Sequence, residues 1–331
     1  MRIQKATIHI VGRPMILSLC LFAMLPVRAI AQESGIGHRS TQESSPQSAS
    51  PGTVPVSMIV SVEAKQGKEV PTVSREDVVV FQAHDRVRVT DWVPFQGDQA
   101  GLQLFLLIDE GTTATIGLQF DDLRHFIDNQ PPTTAIAVGY MRNGTVQVAQ
   151  DFTTDHTQAG KALRLPLGYV GAVASPYLSV TDLMKRWKPS AQRREIFMVS
   201  NGIDPLQPGV VNTYLDEAID VAQRSGIQIY TIYAASAGHF GHTLWRIDIA
   251  QSNLSRLADE SGGEAYFQGL ETPIAFAPFL DEFADRLQHQ YRLTFLAKAQ
   301  KKPSYQRIRL QTEVRNAQLV AADRVYVPAA K

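Results

Sequence analysis

The segment LQLFLLIDEGTTATIG, residues 102–117, puts a carboxylate and hydroxyls where a ligand could meet them. Leu102–Ile108, apolar apart from Gln103, is too short for a membrane span and the right length for a strand covered on both faces. Asp109 falls at that strand's C-terminal end, with Gly111 and Thr113 on the turn that follows. In an open α/β sheet, ligands bind in the crevice beyond such strand ends. Carboxylate and hydroxyl oxygens there are the hard donors that Mg²⁺ or Ca²⁺ prefers. The same residues also read without any ligand. Asp109 can cap the next helix or accept N–H groups from the Gly111–Thr113 turn.

Other groups with chemical potential are weaker. His239 and His242 in GHFGH have a spacing that could hold a transition metal, but no carboxylate or third histidine stands beside them, and they read as loop residues. Arg193-Arg194 and Lys301-Lys302 read as solvated turn charges. Tyr177 and Trp187 flank a loop near the expected crevice, and Trp187 reads as a core residue at a helix end. Phosphate loops, dinucleotide fingerprints, zinc-protease helices and nucleophile elbows are absent from the sequence, which argues against an enzyme.

The elements that would position Asp109 follow from periodicity. Val54, Val56, Met58, Val60 and Val62 alternate as a strand with one buried face; DVVVF and RVRVTDWVPF supply two more strands. After the Asp109 strand, Phe120, Leu123, Phe126 and Ile127 mark a helix ending before Pro131-Pro132. TAIAVGYM and VQVAQDF read as strands joined by Asn143-Gly144, a tight-hairpin signal. Ser179–Trp187 reads as a helix and EIFMVS as a strand. Leu215, Ala218, Ile219 and Ala222 form a helical stripe closed by Gly226, and IQIYTIYA is the next strand. Leu254, Leu257 and Ala258 read as a short helix, and Pro278 opens a last one with Leu280, Phe283, Ala284 and Leu287 inward. Strands alternating with helices imply a mostly parallel sheet. The tail returns to alternation through Tyr291, Leu293 and Phe295, then Ile308, Leu310, Thr312 and Val314, then Val325 and Val327. A β-only head and tail around an α/β core predict a sandwich built from the two ends of the chain, with the α/β part inserted between them.

The N-terminus reads as an export signal. Arg2, Lys5 and Arg13 precede the apolar MILSLCLFAMLPV, and Ala29-Ile30-Ala31 offers a cleavage site. Cleavage after Ala31 would remove Cys20, the one cysteine, so disulfides and thiolate chemistry are excluded from the mature chain. The balance of 32 basic and 32 acidic residues would become 28 and 32, net −4. That gives no electrostatic case for nucleic-acid binding. Residues 32–53, rich in Ser, Gln, Gly and Pro, read as a flexible tether.

Taken in order, these segments resemble a von Willebrand factor A-type domain, and are more closely similar to the A-domain-related family abundant in Acidobacteria. LFLLIDEGTT resembles the first strand and metal motif, and IFMVSNGIDP the strand that ends in Asp-Gly. GIQIYTIYA, LSRLADESGGEAYF and LQHQYRLTF are similar to the later strand, helix and exit segment, and the lead-in from Val54 resembles the family's prelude. The resemblance implies a metal-ion-dependent adhesion site built from an Asp-x-Ser-x-Ser turn, a second-loop Thr and a later Asp. Asp109 matches the first Asp, Gly111 replaces the first Ser, and Thr113 replaces the second. Ser175, or alternatively Thr181, supplies the second-loop hydroxyl. Asn201 stands where the last Asp belongs, with Asp204 nearby as a substitute. The implied site is short of one hydroxyl and one negative charge, and it holds either Mg²⁺ or another divalent cation, or none.

The expected organisation is a signal peptide at 1–31, a linker at 32–53, the first part of the sandwich at 54–97, a Rossmann-like A domain at 100–289 and the second part of the sandwich at 290–328. The expected fold class is α/β, a mostly parallel sheet flanked by helices, with that sandwich attached. The expected function is that of a non-enzymatic binding or adhesion protein, periplasmic or secreted, with a protein or other cell-envelope ligand as partner and no transmembrane segment after cleavage. The alternatives are a structural or envelope-assembly module without a metal site and, more remotely, an unrecognised hydrolase.

Overall fold

Val56, Met58, Val60 and Val62 lie inward on strand β1, Thr53–Ala64, as their alternation requires. They do so in a computed structural model that describes residues 52–168, 175–237 and 243–330. The export signal, all of the tether but its last two residues, and the His239/His242 pair lie outside the described residues. β2 (Val78–Gln82) and β3 (Asp85–Val87) form a hairpin, and β4 covers Val89–Pro94.

RVRVTDWVPF, expected as one strand, is two. β3 pairs with β2, whereas β4 crosses to the other sheet. The break falls at Arg88, inside an unbroken period-two pattern, so nothing in the residue types announces it.

The α/β part comprises β5 (Leu102–Asp109), α1 (Phe120–Asp128), β6 (Thr134–Arg142), β7 (Thr145–Thr153), α2 (His156–Lys161), α3 (Pro176–Arg186), β8 (Arg193–Ser200), α4 (Thr213–Ser225), β9 (Ile227–Tyr233), α5 (Leu244–Ser261), β10 (Ala265–Tyr266) and α6 (Ala277–Gln288). Its sheet has the order β10-β9-β8-β5-β6-β7, parallel except for β7. The β6–β7 turn is the expected Asn-Gly one, with φ of 55° at Asn143 and 72° at Gly144. Alternate residues of β5 feed two cores. Leu104, Leu106 and Ile108 pack with α1 and α6, while Phe105 and Leu107 pack with α3, α4 and α5. Both faces are therefore covered, which is why β5 is apolar almost throughout.

Helix α5 is far longer than the short helix expected at Leu254–Ala258. Ile247 and Ala250 extend its buried stripe upstream, but they stand among Arg246, Asp248 and Gln251, which hide the periodicity. Helix α3 starts at Pro176, ahead of the expected Ser179, because proline's fixed φ suits a helix's first turn. Arg193-Arg194 is not a solvated turn. It begins β8, and the Arg193 guanidinium is buried, donating to the Leu287 carbonyl at 2.8 Å and to the Gln290 side chain.

The chain returns through β11 (Gln290–Lys298), β12 (Ser304–Thr312), β13 (Ala317–Ala321) and β14 (Arg324–Val327). Sheets β13-β1-β11-β4 and β14-β12-β2-β3 face each other over a core that includes Val60, Val80, Leu293, Phe295 and Val327. In the first sheet β1 pairs with β11 from Thr53↔Lys298 to Ser61↔Gln290, so head and tail share one sandwich. Among the described residues no helix is long and apolar enough to cross a membrane.

Candidate functional site

Strand order reverses between β5 and β8. The chain passes from β5 to one side through β6 and β7, then crosses back to β8 on the other. Loops leaving two such neighbours diverge, so the switch point opens a crevice at the C-terminal strand ends. Asp109 ends β5 and Ser200 ends β8, so both stand at that crevice.

The Asp109 carboxylate is buried and accepts three protein donors. They are the Gly111 N–H at 2.8 Å, the Ser200 hydroxyl at 2.7 Å and the Asn201 backbone N–H. Burial pushes its pKa up, and these donors oppose the shift. Ser200 in turn accepts from the Gly202 N–H at 3.0 Å. The Asn201 side-chain oxygen accepts from the Ile203 N–H at 2.8 Å.

The remaining expected ligands form a second knot. Asp204 is buried, and its carboxylate accepts from the Ser175 hydroxyl at 2.6 Å, the Asn212 amide at 3.0 Å, and the N–H groups of Leu206 and Gln207 at 2.9 and 3.1 Å. Tyr177 joins the two knots, since both Asp109 and Asp204 lie close enough to add to the rise that burial imposes on its pKa. Thr113 turns elsewhere. Its N–H donates to the Ala235 carbonyl at 3.0 Å and its hydroxyl pairs with that of Thr115. Thr181 is buried on α3.

A divalent cation needs several oxygen ligands converging on one point. Here the expected set is split: Asp109 bonds Ser200 and backbone N–H groups, Ser175 and Asp204 bond each other, Thr113 pairs with Thr115, the buried Thr181 hydroxyl has no partner among the described residues, and Gly111 has no side-chain oxygen to offer. Among the described residues no group of three or more His, Cys, Asp or Glu side chains could hold a metal ion. As arranged, the donor set does not fit a divalent cation.

No protein-family model matches the chain, and no curated protein matches it. Solved structures do. An aerotolerance-related membrane protein from Bacteroides fragilis is similar at 11% identity and TM-score 0.42, over 56% of this chain and 98% of that one. The N-terminal domains of the type V pili tip protein Mfa5 from Porphyromonas gingivalis are similar at 10% identity and TM-score 0.39, over 86% and 68%. The SpRpn10 VWA domain is similar at 19% identity and TM-score 0.30, over 46% and 84%. The fold itself is mixed α/β, a mostly parallel six-stranded sheet flanked by helices beside two antiparallel sheets.

Two residues at the C-terminal crest of the six-stranded sheet were not read from sequence. Ser200 gives the Asp109 carboxylate its one hydroxyl donor among the described residues; the signal was a serine ending an apolar strand. Glu110, buried beside Asp109, bonds the Arg164 guanidinium and the Leu167 N–H, both at 2.5 Å, which ties residues 164–167 down over the strand end. Arg164 also stacks 3.8 Å above the Tyr140 ring. Nothing at Glu110 distinguishes it in sequence, because its partners are more than fifty residues away.

The rim of the crevice is apolar. Leu118 follows β5; Leu165 and Leu167 sit on the segment held by Glu110. Leu206, Val210 and Val211 follow β8, Leu244 and Trp245 open α5, and Leu270 and Ile274 precede α6. These are ten of the eleven large apolar side chains exposed among the described residues, so the exposure is confined to one edge. Val148, on β7, is the exception.

Proposed function

We propose that this chain is a non-enzymatic, exported interaction module of the A-domain-related family, and that it grips a protein partner of the cell envelope through the rim above β5 and β8. The observation that carries the reading is the confinement of exposed Leu, Ile, Val and Trp side chains to that rim. Large apolar patches on a soluble surface mark interaction sites. The hydrogen-bonded crevice beneath gives the rim a rigid floor, with Asp109 as its centre, and no cation takes part in the grip.

Replacing Trp245 and Ile274 by Ser tests this. Both are exposed, at 58% and 93%, so the fold should keep its melting temperature while capture of the envelope partner is lost. Capture should be the same with Mg²⁺ and with EDTA. Capture that needs the cation would favour the adhesion reading instead, with Asp109, Thr113, Ser175, Asn201 and Asp204 rearranged around a metal. Turnover of any substrate would move the protein to the hydrolase class.

A further inference from the structure

The outer face of sheet β14-β12-β2-β3 divides into two halves. At the β14 side its aromatic and basic residues are spent on the α/β part. The Tyr305 hydroxyl donates to the Asp220 carbonyl at 2.9 Å, Arg324 pairs with Asp220 at 3.1 Å, and Arg224 stacks on Tyr326. The other half is free. There Arg309 of β12 and Arg86 of β3 are the direct cross-strand neighbours of Phe81 on β2, one on each side. Both arginines are exposed, and the Arg309 guanidinium lies 4.8 Å from the Phe81 ring centre. Arg307, two residues along the same face, is exposed too, with Asp323 4.0 Å away.

Strand alternation places Val79, Phe81, Arg86, Arg307, Arg309 and Gln311 on this half, with no carboxylate among them. Among the described residues no ion pair joins Arg86 or Arg309 to an acid. The two strand spacings between them put their backbones roughly 10 Å apart. Like charges gathered on one sheet face repel, so the cluster works against stability unless an anion completes it. The full chain is neutral and the cleaved form would be net −4, so any attraction to an anion is local to this face. A guanidinium over an aromatic ring keeps its N–H donors available, and a planar N–H fork is the group that matches phosphate.

We propose that this free half docks on the phosphate groups of lipid headgroups at an anionic membrane surface. An open sheet face reaches a headgroup layer without insertion, and Phe81 between the arginines suits the mixed polarity of that layer. This contact is independent of the apolar rim, which lies at the strand ends of the other sheet.

The test is co-sedimentation of the intact protein with phosphatidylcholine vesicles that contain or lack phosphatidylglycerol. The parent should bind only the anionic vesicles and should be released by high salt. The double variant Arg86→Gln/Arg309→Gln should lose roughly thirtyfold in partitioning, from about 1 kcal/mol per basic residue. Its melting temperature should not fall below that of the parent, since the substitution relieves like-charge repulsion, and Arg86→Lys/Arg309→Lys should retain most of the binding. A parent that ignores anionic vesicles, or a Gln variant that binds them as well as the parent, would overturn the proposal. So would salt-insensitive binding to phosphatidylcholine alone, which would assign the contact to the apolar rim. Competition by inorganic phosphate or by an acidic peptide at equal charge would replace the membrane with that soluble ligand.

Discussion

The Tyr177 hydroxyl donates to the carbonyl of Gly202 at 2.8 Å, so the first turn of α3 holds the loop that leaves β8. Both groups are buried, and Gly202 has a φ of 68° that a side chain would strain. Tyr177→Phe leaves that carbonyl without its partner, which costs about 1–3 kcal/mol. The expected result is a lower denaturant midpoint with an unchanged slope. An unaffected midpoint would mean that the loop is held by the Ser200 and Asp204 bonds alone.

The shared sandwich makes the two chain ends mutually dependent. β1 has β11 along one edge for nine residues, and Phe295 and Leu293 fill the core beneath it. Deleting residues 290–331 removes both, so the amides of residues 54–63 should lose hydrogen-exchange protection together. Protection that survives the deletion would show that the head folds on its own.

Acid and base should act through Glu195. It lies fully buried in β8, and burial pushes its carboxyl up to about 7 against the opposing pull of Arg193, Gln290 and Arg286. The folded chain therefore binds more protons than the unfolded one between the ordinary carboxylate range and about pH 7. Its stabilising contribution is complete below that window and is lost as pH rises through it, at about 1.4 kcal/mol per pH unit for one group. Asp259, pushed up to about 6 by burial and by Asp323, adds in the same direction. Chemical denaturation across the window should give a falling stability that Glu195→Gln flattens. A parent whose stability rises over the same range would contradict this.

Legibility in the sequence followed the range of the interactions. The parallel strands were readable because β5, β8 and β9 carry apolar runs whose cause is local burial on two faces. Asp109 and Asn201 were readable as crevice residues because a strand end marks them. The partners they chose were not. Asp204 looked like a substitute for the acidic metal ligand whose place Asn201 holds, yet it bonds Ser175 and Asn212, a choice set by the path of the loop between β8 and α4. Arg193 looked like a turn charge because nothing within its own segment shows that Leu287 and Gln290 will close over it. Polar residues satisfied at long range look like surface residues until the fold is known.

The switch-point crevice can be asked directly whether it has kept the shape of a metal site. Asn201→Asp together with Gly111→Ser returns one charge and one hydroxyl beside Asp109. A Cβ at Gly111 would stand 3.0 Å from the Asn201 side-chain nitrogen and 3.1 Å from the Asp109 oxygen, so these side-chain ends must move by a few tenths of an ångström. Gly111 is not at a positive φ, so serine is permitted there. Without metal the double variant should melt below the parent, because a second carboxylate faces Asp109 with Glu110 already adjacent. With Mg²⁺ or Mn²⁺ at a hundredfold excess over its dissociation constant, the variant should regain about 2.7 kcal/mol. The parent should show no metal-dependent change, since Gly111 offers Asp109 no second ligand and Ser175 and Asp204 are bonded to each other instead. A rise in the parent would restore the adhesion site. No rise in either protein would mean that Ser200 and Tyr177 hold the loops in a geometry that added ligands cannot reopen.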